Sequence, residues 1–442
     1  MTQLEALTPR QLPRAWRVGL PGLLTLAVTY GYGRYGYGLF LPQLRREFRG
    51  SAGLLGTIVS IGYLTELIVV VVVGRLSGRV APRVPIVIGG LFAASGMALM
   101  ASATSAGMLA VGVALAGTAP GWVWAPYSDA IDAGTRKSSR AQAISMVSSG
   151  TTFGVLVAGP AVVLVAPSGW RLVWAGAAAV ALAVTVWNRL VLPPVPHPGP
   201  TGGPPRRQGA RLLPQRGHLP QLRGARLSRR HRTPHAHPYR RERERAQRGG
   251  VSWPTPARAR LLLAAFSSGA VGAAYWAYAS VAVSEFPGVP TTFGPTPLFW
   301  TMIGAAGVLG VLTGTLVTCW GLRAVFATAQ ALVAASCLLL ALPGPGWFAY
   351  VGAAALFGAG FMIGGTLLPL WSERVDSRSP TAGFSTVVVV MTLGSALGPA
   401  LSGPIIDAVG PEPVFTSLAV AAVATMMVYP RTGDLAENRR ET

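Results

Sequence analysis

Residues 84–128 read VPIVIGGLFAASGMALMASATSAGMLAVGVALAGTAPGWVWAPYS, with no charged side chain between Arg83 and Asp129. At about 1.5 Å of rise per residue, one helix of this run would be about 67 Å long. That is about twice the 30 Å hydrocarbon core of a bilayer. The run therefore predicts two spans, turned at Thr104-Ser105-Ala106-Gly107. A second double run, Ala324–Ser372, turns at Pro343-Gly344-Pro345-Gly346. Clusters of Gly and Pro end helices. Leu261–Ser284, Pro380–Ile406 and Val414–Pro430 each fit one span.

Counted this way, the chain holds twelve spans, near 18–41, 53–74, 85–104, 107–127, 142–166, 170–191, 260–284, 297–319, 323–342, 346–369, 382–406 and 413–430. The predicted fold class is an all-α polytopic membrane protein, with twelve helices in two six-helix pseudo-symmetric bundles. Composition excludes the other classes. Of 442 residues, 51% are hydrophobic and 12% charged, where a soluble domain carries about 25% charged. Two cysteines exclude a disulfide scaffold.

The net charge of +22 is unevenly placed. Between Pro196 and Gly250 stand 14 Arg and 2 Glu, a local charge of +12. The same stretch lacks Ile, Met, Phe and Trp, so it has no apolar face to dock. It divides the chain into an N-terminal bundle (1–195), a basic, mostly disordered cytoplasmic linker (196–257) and a C-terminal bundle (258–442). His197, His218, His231, His235 and His237 all lie in the linker. Their spacing is irregular, with no Cys or Asp nearby, so no metal site is predicted. Neither is a nucleic-acid role, because a solvated linker accounts for the charge. A stretch translated out of frame between two compensating shifts is the alternative origin of this composition.

Orientation follows from Arg and Lys in the short loops. With the N-terminus inside, the inner loops hold 15 and the outer loops 4 (Arg45, Arg46, Arg49 and Arg171). The expectation is a multi-pass protein of the cell membrane with both termini cytoplasmic.

Gly74-Arg75-Leu76-Ser77-Gly78-Arg79-Val80-Ala81-Pro82-Arg83 falls between spans two and three. It resembles the signature loop of the major facilitator superfamily, in which Gly74, Leu76, Arg79 and Arg83 match. The family's Asp is Gly78 here, and its second Gly is Ala81. Gly394-x-x-x-Gly398-Pro399 in span eleven resembles the Gly-Pro motif that members carry in span five. Span five itself keeps Gly150, Gly154, Gly159 and Pro160. Gly31-Tyr32-Gly33-Arg34-Tyr35-Gly36-Tyr37-Gly38, followed by Leu41-Pro42, resembles the YbfB-like branch.

The resemblance implies alternating access, in which two bundles rock about a central site, and a gating role for Gly74, Arg75, Leu76, Arg79 and Arg83. With Gly78 in the place of Asp, Asp129 is the expected substitute in the latch. The Arg that antiporter members carry in span four is absent, which argues against drug/proton antiport. Read physically, Arg79 and Arg83 can hold phosphates or the C-terminal ends of helices. The small residues Gly394 and Gly398, and Gly150 and Gly154, let helix backbones approach.

Ionisable side chains inside spans mark function by default. Arg34 in span one and Glu66 in span two are the expected pair. From a loop at Gln43–Ser51, Arg34 counts about 10 Å deep and Glu66 about 20 Å. That offset is long for a direct bond. Tyr30, Arg34 and Tyr37 fall at i, i+4 and i+7, on one helix face. Trp124, Tyr275 and Tyr278 complete the expected substrate-binding set. Trp300, Trp371 and Tyr429 read as interface anchors, Cys319 and Cys337 as core residues. Asp407 and Glu285 sit at span ends, within reach of water.

The expected function is secondary active transport of a small organic solute, anionic or aromatic in character, with proton coupling through Glu66. The working unit is a monomer in lipid, with no cofactor. A membrane-embedded enzyme is the alternative, and the spans contain no His to serve one. A non-transporting product of a damaged reading frame is the other.

Overall fold

The computed structural model describes residues 14–76, 80–135, 137–165, 169–192, 255–284, 294–342, 346–376 and 380–429. All helices and turns below belong to these residues. Apart from Thr255–Ala257, the linker lies outside them, with its five His. Arg79 and Glu285 also lie outside them.

The first half contains α1 (Arg14–Leu26), α2 (Gly36–Leu39), α3 (Leu41–Phe48), α4 (Ala52–Leu76), α5 (Arg83–Ala101), α6 (Ala106–Gly134), α7 (Lys137–Val165) and α8 (Trp170–Val191). The second contains α9 (Pro256–Ser284), α10 (Pro295–Gly307), α11 (Thr313–Leu340), α12 (Trp347–Val375), α13 (Pro380–Val409) and α14 (Pro411–Met427). A π-helical stretch, Ala27–Arg34, joins α1 to α2, and a 3-10 stretch, Val308–Leu312, joins α10 to α11. Joined at these stretches and through Phe40, and divided at Gly321 within Thr313–Leu340, the described helices form twelve rods.

The long apolar runs break where turn chemistry requires. Ser105 caps α6, its hydroxyl accepting from the amide of Met108 at 3.2 Å. Gly346 stands at the N-cap of α12. Gly321 takes φ 79° and ψ 157°, a backbone that side chains disfavour, and so bends the run Thr313–Leu340 near its start. Several helices outrun their apolar segments: α6 carries Asp129, and α12 carries Glu373 and Arg374. Charge ends a span but does not end a helix.

The Gln43–Ser51 stretch reads as a loop in the sequence, yet most of it is helix α3. Pro42 starts this helix, and Leu41 and Leu44 are buried beneath it. The polar residues between them hide an amphipathic turn. The count of loop arginines also has a physical sequel. Arg171 pairs with Glu47 and donates to the carbonyl of Ala103 at 2.5 Å, and Arg45 lies 3.6 Å from Asp407. Two of the four exceptions to the rule are thus paired.

Helix packing repeats between the halves. A Cβ on Gly150 or Gly154 of α7 would collide with the carbonyls of Leu23 and Ala27. A Cβ on Gly394 or Gly398 of α13 would collide with those of Phe266 and Ala270 on α9. The same device therefore seats the fifth rod on the first and the eleventh on the seventh. Gly159, just before Pro160, works between the halves: α7 meets Pro297 and Thr301 of α10 there.

A polar knot ties α1, α6 and α8. Tyr127 donates to Asn188 Oδ1 at 2.5 Å, and Asn188 Nδ2 donates to Thr25 Oγ1 at 2.8 Å. Interhelical bonds of this kind contribute about 0.6 kcal/mol each in a bilayer. The outside of the bundle is apolar: Leu164 is 85% and Phe348 91% exposed. Lipid accepts such a surface and water does not, so the chain is a multi-pass membrane protein.

Trp300 and Trp371 are fully buried rather than at an interface. Trp300 packs against Trp276, and Trp371 against Phe326. Tyr429 lies beneath the guanidinium of Arg323, 3.8 Å from its ring centre. Of the cysteines, Cys337 is buried but Cys319 is exposed. Hydropathy cannot tell a core aromatic from an interfacial one when both sit near a span end.

Candidate functional site

Arg34 ends the π-helical stretch, where the backbone amide of Tyr35 reaches back to the carbonyl of Tyr30 at 3.3 Å. A π insertion widens the helix and rotates the residues that follow it. It brings Arg34 onto Glu66 of α4. Nη1 of Arg34 and Oε1 of Glu66 form a direct ion pair, with side chains 6% and 2% exposed.

The expected depth offset is absent, because the first rod continues through α3. Arg34 stands 14 residues before Phe48, and Glu66 stands 14 residues after Ala52. At about 1.5 Å per residue both lie about 21 Å from the same end. That end, where α3 passes to α4 and α13 to α14, is termed distal below.

Three tyrosines surround the guanidinium. Its carbon lies 4.8 Å from the ring centre of Tyr63, 5.5 Å from Tyr30 and 5.7 Å from Tyr35. Cation–π attraction adds about 2 kcal/mol when the cation is desolvated. Nε of Arg34 is buried and without a hydrogen-bond partner. One donor of the guanidinium is therefore spare while Glu66 occupies another.

Arg34, Tyr35, Tyr37 and Tyr63 of the first half face Ala273 and Trp276 of the second across a narrow recess. No part of it takes a water-sized sphere. Tyr35 stacks on Trp276 across the recess, ring centres 4.6 Å apart and 26° from parallel. The aromatic side chains must part before a solute can enter.

The expected residues are thus only partly brought together. Arg34, Glu66 and Tyr30 are in contact, and Tyr30 meets Trp124 edge to face at 5.8 Å. Tyr37 lines the recess and donates to the carbonyl of Leu55 at 3.3 Å. Tyr275 lies elsewhere. Its hydroxyl bonds to Ser336 at 2.8 Å, and its ring stacks on Phe357 inside the second half. Tyr278 lies between the halves, its hydroxyl donating between the carbonyls of Ala52 (3.0 Å) and Pro399 (2.9 Å).

Tyr35, Tyr63 and Trp276 lie outside the expected set. Tyr63 precedes Glu66 by three residues, a spacing that shares a helix face and is legible in the sequence. Tyr35 is not, because only the π insertion turns it toward the recess.

At the opposite end, Gly74 faces open space, and Arg75 and Leu76 close α4. Arg83 Nη1 reaches the carbonyl of Arg189 at the C-terminal end of α8, at 3.4 Å. Cations are favoured at that position on a helix. Asp129 lies with Leu76, Val80 and Pro126 around a small recess beside the loop. Among the described residues, no cluster of His, Cys, Asp or Glu could hold a metal ion.

The overall structure is similar to that of the nucleoside transporter NupG. A single-substitution variant of NupG superposes with a TM-score of 0.69 at 12% identity, covering 94% of this chain and 98% of the other. NupG itself gives 0.65 at 12% identity, with coverages of 94% and 99%. A bacterial homologue of the human lysosomal transporter Spinster, in an inward-facing and unoccupied conformation, gives 0.63 at 16% identity, with coverages of 94% and 95%. At these identities the likeness shows the fold alone. No curated protein matches the sequence. The sequence profile of the Major Facilitator Superfamily matches residues 23–382. This match spans most of both six-helix halves, and the chain belongs to the Major Facilitator Superfamily, as a secondary transporter and not an enzyme.

Proposed function

We propose that the chain carries a small organic anion with an aromatic or planar body, together with a proton, across the cell membrane by alternating access. The supporting observation is the buried Arg34–Glu66 pair, lined by tyrosines and facing Trp276 of the other half. A charge left bare at the centre of a bilayer costs about 3 kcal/mol. A substrate carboxylate that takes Arg34 displaces Glu66, and Glu66 then avoids that cost by taking a proton. Anion and proton thus travel together. The tyrosines and Trp276 offer faces to the rest of the solute.

On this reading the loop at Gly74, Arg75, Leu76, Arg79 and Arg83 gates the cytoplasmic side, with Asp129 in the part of the missing Asp. The distal end is the outer one and both termini are cytoplasmic, as the arginine count favours. One chain contains the whole site and works as a monomer among lipids.

The test is uptake by purified protein in liposomes, screening aromatic carboxylates with and without an inward proton gradient. Gradient-dependent accumulation supports the reading. Uptake that ignores the gradient removes the proton, and uptake confined to cations or neutral solutes removes the anion.

A further inference from the structure

The two halves are bonded together at the distal end. Asp407, near the end of α13, accepts from the backbone amides of Ala52 (Oδ1, 2.8 Å) and Gly53 (Oδ2, 2.7 Å), the first residues of α4. These amides begin a 25-residue helix and have no partner within it. A carboxylate there satisfies both and also meets the positive end of the helix dipole. Ala52 and Gly53 belong to the first half and Asp407 to the second, so the cap spans the interface.

Two further bonds span it nearby. Ser280 of α9 donates to the carbonyl of Gly38 at 2.5 Å, and Tyr278 donates to the carbonyls of Ala52 and Pro399. Close backbone contact accompanies them. A Cβ on Gly38 would collide with the carbonyl of Trp276, and one on Gly56 with the Tyr278 hydroxyl. The halves cannot part at this end without breaking the Asp407 cap and the Ser280 bond.

We infer that Asp407 is a conformational latch: by capping α4 from the opposite half it holds the distal gate shut, and it must release α4 for the site to open on that side. The inference rests on the alternating-access reading. Arg45 lies 3.6 Å from Asp407, but both side chains are about a third exposed, where an ion pair contributes little. The cap, not the ion pair, supplies the latch.

The experiment reads labelling of one introduced thiol and needs no substrate, so its failure is distinct from failure of the transport reading. Val59 lines the recess and is buried in the closed state. Val59→Cys is placed in the full chain with Cys319→Ser and Cys337→Ala. A membrane-impermeant maleimide is applied to right-side-out and to inside-out vesicles. In this background the introduced thiol should be protected. Adding Asp407→Asn should speed labelling about tenfold, in the one preparation that presents the distal end. Arg45→Gln should change the rate less than twofold, and so should Glu412→Gln, an exposed acidic residue nearby. If the Asp407→Asn protein does not reach the membrane, Asp407→Ser, too short to reach the amides of Ala52 and Gly53, must produce the shift. Unchanged labelling in Asp407→Asn, or in Asp407→Ser where that replaces it, overturns the latch. A shift in Arg45→Gln as large as in Asp407→Asn overturns the assignment to the cap.

Discussion

Tyr35 of the first half lies nearly flat on Trp276 of the second, ring centres 4.6 Å apart, and the two rings fill the space between the halves beside Arg34. A stacked pair is attractive by about 1 kcal/mol beyond its burial, so it holds the two halves together beside Arg34. A planar solute between the rings would replace one stack with two.

Replacing Tyr35 with Ala should therefore raise KM about tenfold while leaving the protein folded. Tyr35→Phe should stay within about twofold of the parent, because it keeps the ring. Transport kinetics in liposomes separate the two. Equal losses in both variants would assign the effect to the hydroxyl.

The buried ion pair should show a particular non-additivity. Glu66→Gln leaves the Arg34 guanidinium buried and bare and should cost about 3 kcal/mol of stability, whereas Arg34→Gln lets Glu66 take a proton and should cost less; transport is lost in both. The double variant removes both charges and should recover most of the stability but no transport. Thermal melts and uptake on the three proteins check this. Recovery of transport in the double variant would make the pair purely structural.

Tyr63 offers its face to the guanidinium, at the shortest of the three distances. Tyr63→Phe should keep the substrate affinity, and Tyr63→Leu should weaken it about thirtyfold, the size of a desolvated cation–π contact of about 2 kcal/mol. Tyr275 is the contrasting case. Tyr275→Phe loses its bond to Ser336 inside the second half, and should lower stability by about 0.6 kcal/mol with transport unchanged.

Glycine contacts should divide by surroundings. Gly398→Val drives a side chain into the carbonyl of Ala270, and should destabilise by about 1–3 kcal/mol as overpacking does. Gly365→Ala meets nothing within 4 Å, and should be neutral or stabilising by about 0.5 kcal/mol. Melting temperatures of the two variants in detergent give the comparison.

Orientation is open to a direct test. Reporter fusions at Gly50 and Ala106 should read outside, and fusions at Val80 and Ser139 inside. The reverse pattern would turn the transporter over and place the Asp407 cap on the cytoplasmic side.

The number of spans, their breaks at Ser105 and Gly346, and the division into halves were all legible in the sequence. Bilayer thickness and the cost of a charge in hydrocarbon act along the chain one residue at a time, and so does the turn chemistry of Gly and Pro. The identity of the buried charges was legible for the same reason, because only Arg34 and Glu66 stand well inside spans. Which side chains meet them was decided by the tertiary structure. The π insertion before Tyr35 and the helical continuation through Phe48 set the depth and rotation of Arg34, and neither leaves a mark in hydropathy. Tyr275 went to the core and Tyr278 to the interface between halves, although they are three residues apart on one helix. In a membrane a helix is apolar both where it meets lipid and where it meets its neighbours, so its periodicity does not name its inner face. Close packing against the other rods does.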